Sequence, residues 1–127
     1  MTRTQGLTSD APRPAGPYSQ AARVGAIVAV AGQVGVDPAT GSVVSDDVAA
    51  QTTQAFRNVA AALTACGCSL DDVVRVDVFL ASMDDFQAMN NAYEPVFSPP
   101  YPARTTVGVS LAPGLKVELT VLAVREA

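Results

Sequence analysis

The sequence predicts an α+β fold: one domain of two layers, a mixed β-sheet with two helices on one face. The chain has 127 residues, the size of one ordinary domain, and 1–127 carries no repeat or internal linker. Its hydrophobic patterns run in the order ββ-α-β-α-ββ, and strands with helices to one side imply layers of this kind. Charged residues are only 16% of the chain and hydrophobic ones 49%, which leaves more apolar surface than a monomer of this size can hide. Subunit contact is the simplest remedy, because a permanent interface resembles a domain core cut in half.

The elements follow in order. Residues 1–15, rich in Pro, Thr and Gly, read as a loosely held leader in which Pro12 and Pro14 block a helix. From Tyr18 the pattern is strand-like and Gly25 marks a turn. Ile27-Val28-Ala29-Val30-Ala31-Gly32 is then a second strand, apolar on both pleat faces, which asks for cover on both. Asp37-Pro38-Ala39-Thr40-Gly41 is a turn, with Pro presetting φ and Gly supplying a positive one. Ser45, Asp46 and Asp47 are N-cap candidates for a long helix that stops near Cys66-Gly67. Phe56, Val59, Ala60 and Leu63 fall at i, i+3, i+4 and i+7 and form one apolar stripe.

Val73 to Leu80 is rich in β-branched residues and reads as a strand, with Arg75 and Asp77 on one face and Val74, Val76 and Val78 on the other. Ser82-Met83-Asp84-Asp85 fits a capping box with Asp in the usual place of Glu or Gln. It opens a second helix through Phe86, Met89 and Tyr93, which Pro95 ends or kinks. Pro99 to Pro102 is an extended linker, and Thr105 to Val109 and Val117 to Val124 close the chain as strands. Helices on one face leave the other bare, yet Ile27 to Val30 and Leu119 to Val124 send apolar residues both ways. Another copy of the same chain is the cheapest cover.

Composition excludes several kinds of function. The net charge is −4 and no Lys/Arg cluster stands out; nucleic-acid affinity comes largely from neutralising phosphates, so such a partner is not expected. The longest apolar stretch, around Gly25 to Gly32, falls well short of the ~20 residues that span a bilayer, so no membrane association is expected. The first residues carry no apolar signal region, which points to the cytoplasm. Cys66 and Cys68 stand too close for an ordinary disulfide and read as thiols in a reducing compartment. Histidine is absent, which removes Ser-His-Asp and Cys-His catalysis and the usual ribonuclease chemistry. Two thiols without a His also make a structural zinc site implausible.

Six short words then stand in sequence: Gly16-Pro17-Tyr18-Ser19-Gln20-Ala21, Ala31-Gly32-Gln33, Asp37-Pro38-Ala39-Thr40-Gly41, Asp85-Phe86-Gln87-Ala88-Met89-Asn90, Pro102-Ala103-Arg104-Thr105-Thr106-Val107 and Lys116-Val117-Glu118. Each alone is weak; together, from about Pro14 to Arg125, they make the chain resemble the reactive-intermediate deaminase family, Rid/YjgF or RidA-like. The resemblance implies a chorismate-mutase-like fold, a homotrimer whose sheets form a central barrel, and clefts between subunits that bind small carboxylates.

It also implies site residues. Arg104 matches the arginine that clamps a substrate carboxylate, a task suited to a planar fork that stays charged. Glu118 matches the acidic residue beside the imine and its attacking water, and it stands among Val117, Leu119 and Val121, where a lone carboxylate needs a reason. Tyr18 and Asn90 match cleft-lining positions. Thr106 stands where relatives often have Cys or Ser, and Gly32 would let backbone approach a ligand. Ala31 replaces a common Ser, and Thr120 replaces a common second acid. The implied activity is hydrolysis of 2-imino acids such as 2-iminopropanoate and 2-iminobutanoate to 2-keto acids and ammonia, with no metal or cofactor. Two rivals are another reaction in the same cleft, such as 2-aminomuconate deamination, and a ligand-binding, chaperone-like or RNA-acting role.

Overall fold

The computed structural model describes residues 1–126. A single six-stranded sheet carries two α-helices, and its strand order is β1-β2-β3-β8-β6-β7. The strands are β1 (Thr4–Gly6), β2 (Ala21–Val24), β3 (Ile27–Val34), β6 (Val73–Leu80), β7 (Ala103–Gly108) and β8 (Val117–Val124); a small hairpin, β4 (Val36–Asp37) and β5 (Ser42–Val43), stands apart. The sheet is mixed because β6 and β7 run parallel while the other pairs run antiparallel. A parallel pair needs a crossover, and here it holds α2 (Phe86–Tyr93).

Helix α1 (Val48–Ala65) starts where its sequence signals put it: the Asp47 carboxylate accepts from Ala50 N at 3.2 Å. It ends where Gly67 turns to φ +76° and the amides of Cys66 and Cys68 bond back to Leu63 O. Ala55, Phe56, Val59, Ala62 and Leu63 pack against Val28, Val76, Val78, Leu119 and Val121 of the sheet to form the core. Helix α2 ends at Tyr93, and Pro95 stands in the 3-10 turn that follows. At the turn of residues 37–41, Gly41 N bonds Asp37 O at 2.8 Å and Gly41 takes φ +74°. No helix among the described residues is long and apolar enough to cross a membrane.

Two expectations are corrected. The N-terminal segment is not a loose leader: β1 pairs with β2, and Ala11 is buried. The cause is Gln20, whose buried side-chain amide donates to Thr8 O, Ala11 O and Pro12 O and accepts from Thr8 N. A buried amide is costly unless bonded, and these four bonds satisfy it while tying the segment down. The second correction is one of phase. The register slips between Val73 and Arg75, so Val73 is buried and Val74 points out with Arg75, rather than in with Val76 and Val78. Strand β3 alternates, with Val28 and Val30 buried against the helices and Ile27 and Ala29 exposed on the side away from them. One sheet face of this chain is bare.

Two further buried amides hold irregular chain near the sheet. The Asn58 side chain donates to Val34 O and Val36 O at the corner between β3 and β4. The Gln51 side chain donates to Ser45 O and Gly114 O and accepts from Lys116 N, which pins the entry to β8.

Candidate functional site

Arg104 lies on edge strand β7, opposite Val76 of β6, and alternation turns it and Thr106 toward the helix layer. Helix α2 meets it with Phe86, Asn90 and Tyr93, which stand at i, i+4 and i+7 on one helical stripe. The guanidinium Nη1 donates to Asn90 Oδ1 at 2.7 Å, and Cζ lies 4.7 Å from the Tyr93 ring centroid and 5.6 Å from that of Phe86. A cleft of about 390 Å³ opens here, lined by Asn90, Tyr93, Glu94, Tyr101, Pro102 and Arg104. Among the described residues the ion pairs are Arg75–Asp77 and Arg125–Asp72, so Arg104 has no carboxylate partner. Its plane is fixed, its charge is uncompensated, and most of its N–H groups remain for a ligand.

Two buried side-chain oxygens among the described residues lack a hydrogen-bond partner, Tyr93 Oη and Thr106 Oγ1. Both belong to the surroundings of Arg104. Burial raises the Tyr93 pKa above the ordinary tyrosine value, with the nearby Arg104 charge pulling the other way. The phenol is therefore neutral at working pH and leaves the Arg104 charge intact.

Glu118 faces the other way. On β8, Val117, Leu119, Val121 and Ala123 are buried against the helices, while Glu118, Thr120 and Leu122 lie on the bare face. Glu118 pairs with Val34 and Phe79, next to a register shift in β3 between Val30 and Gln33. That irregularity brings Gly32 against the carboxylate: a Cβ at Gly32 would lie 2.3 Å from Glu118 Oε2 and 2.9 Å from its Cδ. Only glycine lets the carboxylate rest there undisturbed. Ala31 and Tyr18 line a neighbouring hollow of about 470 Å³ together with Arg3. Tyr18 is itself exposed, and its hydroxyl accepts from Ala15 N at 3.0 Å. Across from Thr120 stands Asp77, whose Oδ2 accepts from Thr120 Oγ1 at 3.3 Å and pairs with Arg75 Nε at 3.5 Å.

The fold thus sorts the sequence-predicted residues into two groups on opposite faces of one sheet. Arg104, Asn90 and Thr106 form the first; Glu118 and Gly32, with Tyr18 and Ala31 nearby, form the second. Phe86, Tyr93 and Asp77 were read in the sequence only as helix and strand residues, not as neighbours of the candidate site. For the first two a signal was present, the i, i+4, i+7 spacing through Asn90, but it looked like ordinary core patterning.

Comparison with known proteins gives one consistent result. The sequence pattern of the family described as Endoribonuclease L-PSP matches residues 8–125. A RutC family protein of Pyrococcus horikoshii is 43% identical over 121 residues, covering 94% of this chain and 96% of that protein. The human protein named 2-iminobutanoate/2-iminopropanoate deaminase is 38% identical, covering 93% of this chain and 87% of its own length. Among solved structures, E. coli TdcF with bound serine superposes with a TM-score of 0.91 at 34% identity, covering 97% of this chain and 99% of the other.

Proposed function

Because the chain belongs to the L-PSP endoribonuclease family, the YjgF/Rid family, we propose that it is a cytoplasmic deaminase, which hydrolyses 2-imino acids to 2-keto acids and ammonia as a homotrimer. The observation that carries this reading is the pre-set, unpaired guanidinium of Arg104. A flat, singly tethered cation in a cleft suits a small carboxylate held by two parallel hydrogen bonds. The name of the human relative points to the same chemistry, and the serine bound to TdcF carries such a carboxylate beside a nitrogen.

In this reading three bare sheet faces turn inward as a barrel and close their exposed apolar residues, Ile27, Val107 and Val124 among them. Since Arg104 and Glu118 lie on opposite faces of one chain, the cleft is completed when one subunit's Glu118 group meets its neighbour's Arg104 group. A 2-imino acid such as 2-iminopropanoate or 2-iminobutanoate binds with its carboxylate on Arg104, and Asn90 keeps the fork in plane. Tyr18, the Ala31–Gly32 backbone and Thr106 enclose the reacting end. Water adds to the C=N carbon, and the Glu118 carboxylate takes the water's proton and delivers it to the nitrogen. The resulting carbinolamine, protonated on nitrogen, collapses to the 2-keto acid as ammonia leaves and its hydroxyl proton passes to the Glu118 carboxylate. The carbon of a protonated imine is already electrophilic, so no metal or cofactor is assigned a step; positioning supplies much of the rate.

The test is an imine-hydrolysis assay with 2-aminoacrylate generated in situ, run alongside light scattering after gel filtration. Accelerated keto-acid release by a particle of three chains' mass is the expected result. Uncatalysed rates from a stable monomer would overturn it. RNA cleavage by the same preparation would move the reading to the activity in the family's name, which the net charge of −4 and the absence of histidine disfavour.

A further inference from the structure

We propose that Tyr93 is a positioning residue for carboxylate recognition, its ring forming the floor on which the Arg104 guanidinium lies. This rests on the reading that Arg104 holds the substrate carboxylate. The Arg104 Cζ atom is 4.7 Å from the ring centroid, inside the ~6 Å over which an aromatic face attracts a cation. The ring is itself immobile. Tyr93 is 4% exposed, packs against Phe56 at 5.4 Å with an interplanar angle of 74°, and against Phe97 at 5.5 Å.

A bidentate contact needs the guanidinium plane as well as its position. Asn90 fixes one nitrogen at 2.7 Å but leaves the group free to pivot about that bond. A rigid ring face beneath it removes the pivot. An acidic side chain in the same place would also hold Arg104, yet would neutralise the charge meant for the ligand; a neutral ring does not. The hydroxyl plays no visible part in holding Tyr93, since Oη is buried without a partner. For packing alone Phe would serve better, because an unbonded buried hydroxyl is destabilising.

The experiment measures binding of 2-oxobutanoate by calorimetry, with kcat, KM and Tm, on the assembled protein and on Tyr93→Phe, Tyr93→Leu, Tyr93→Met and Arg104→Ala. Leu and Met remove the π face, so affinity should fall and KM rise roughly three- to thirtyfold, with kcat within about threefold. Met provides a second, more flexible filling should Leu fold poorly. Phe retains the ring and should restore affinity to within about twofold while raising Tm. Leu and Met variants that lose Tm but bind normally would make Tyr93 a core residue only and overturn the proposal. Binding as weak in Phe as in Leu would also overturn it, by moving the contact to the hydroxyl. Unaltered binding by Arg104→Ala would instead overturn the carboxylate assignment itself, a failure separable from that of Tyr93.

Discussion

The Arg104 and Glu118 regions differ in how finished they are within one chain. Arg104 is enclosed by α2, braced by Asn90 and stacked on Tyr93, and its cleft already has floor and walls. Glu118 lies on an uncovered sheet face, held against Gly32 but open on its outer side. The difference follows from the work proposed for each. A carboxylate clamp must be rigid before the ligand arrives, because affinity is lost to every side chain that must be ordered on binding. A proton carrier must reach both water and nitrogen, and in the proposed trimer a second subunit would supply the rest of its surroundings.

Three substitutions would break or sharpen that contrast. The largest effect is expected at the open half. Glu118→Gln keeps size and shape but cannot exchange protons as a carboxylate does, so kcat should fall by about 10²–10⁴-fold. Calorimetric affinity for a 2-keto acid should change far less, since Arg104 still holds it. Intact kcat with weakened binding would make Glu118 a positioning group instead.

The closed half comes next. Arg104→Lys keeps the charge but loses the planar fork, and one charge-assisted hydrogen bond is worth about 1.5–3 kcal/mol. Steady-state kcat/KM should therefore drop roughly ten- to a hundredfold while gel-filtration behaviour is unchanged. A near-normal rate would mean that the carboxylate is held elsewhere.

The smallest effect is expected at Gly32→Ala. Its new Cβ collides mainly with the mobile end of the Glu118 side chain, at 2.3 Å from Oε2, so the side chain can swing away and Tm should hardly move. The displaced carboxylate should lower kcat by about tenfold, short of the ~10²-fold that a misplacement of order 1 Å can cost. A large loss of Tm with normal kcat would show that the close approach matters to packing and not to chemistry.

Much of this was legible because it rests on periodicity and punctuation. The bounds of β6 and β8, the Asp47 cap and the Gly67 stop all answer to short-range rules. The grouping of Arg104 with Thr106 answers to strand alternation. What escaped depends on contacts between residues far apart in the chain. Gln20 latching residues 8–12, Gln51 gripping Gly114 and Lys116, and Asn58 holding the 34–36 corner are single amides with no repeating signature. The register slip at Val73 flips Val74 outward, and nothing in a run of valines marks where a strand loses phase. The placement of Arg104 and Glu118 on opposite faces was hidden for a related reason. Alternation tells which residues share a face of one strand, but not how the faces of β7 and β8 correspond; that needs the registers through β6.

The position of β8 has a consequence for how the protein is made. The last strand of the chain lies in the middle of the sheet, between β3 and β6, and Ile27 of the former pairs with Val124. During synthesis both β3 and β6 emerge with an unsatisfied edge and must wait for residues 117–124 to leave the ribosome. Contacts of such long sequence separation slow folding, and waiting strands are prone to mispairing. The two halves of the sheet therefore stay unjoined until residues 117–124 have emerged. Removing the final strand would not trim an edge but split the sheet in two.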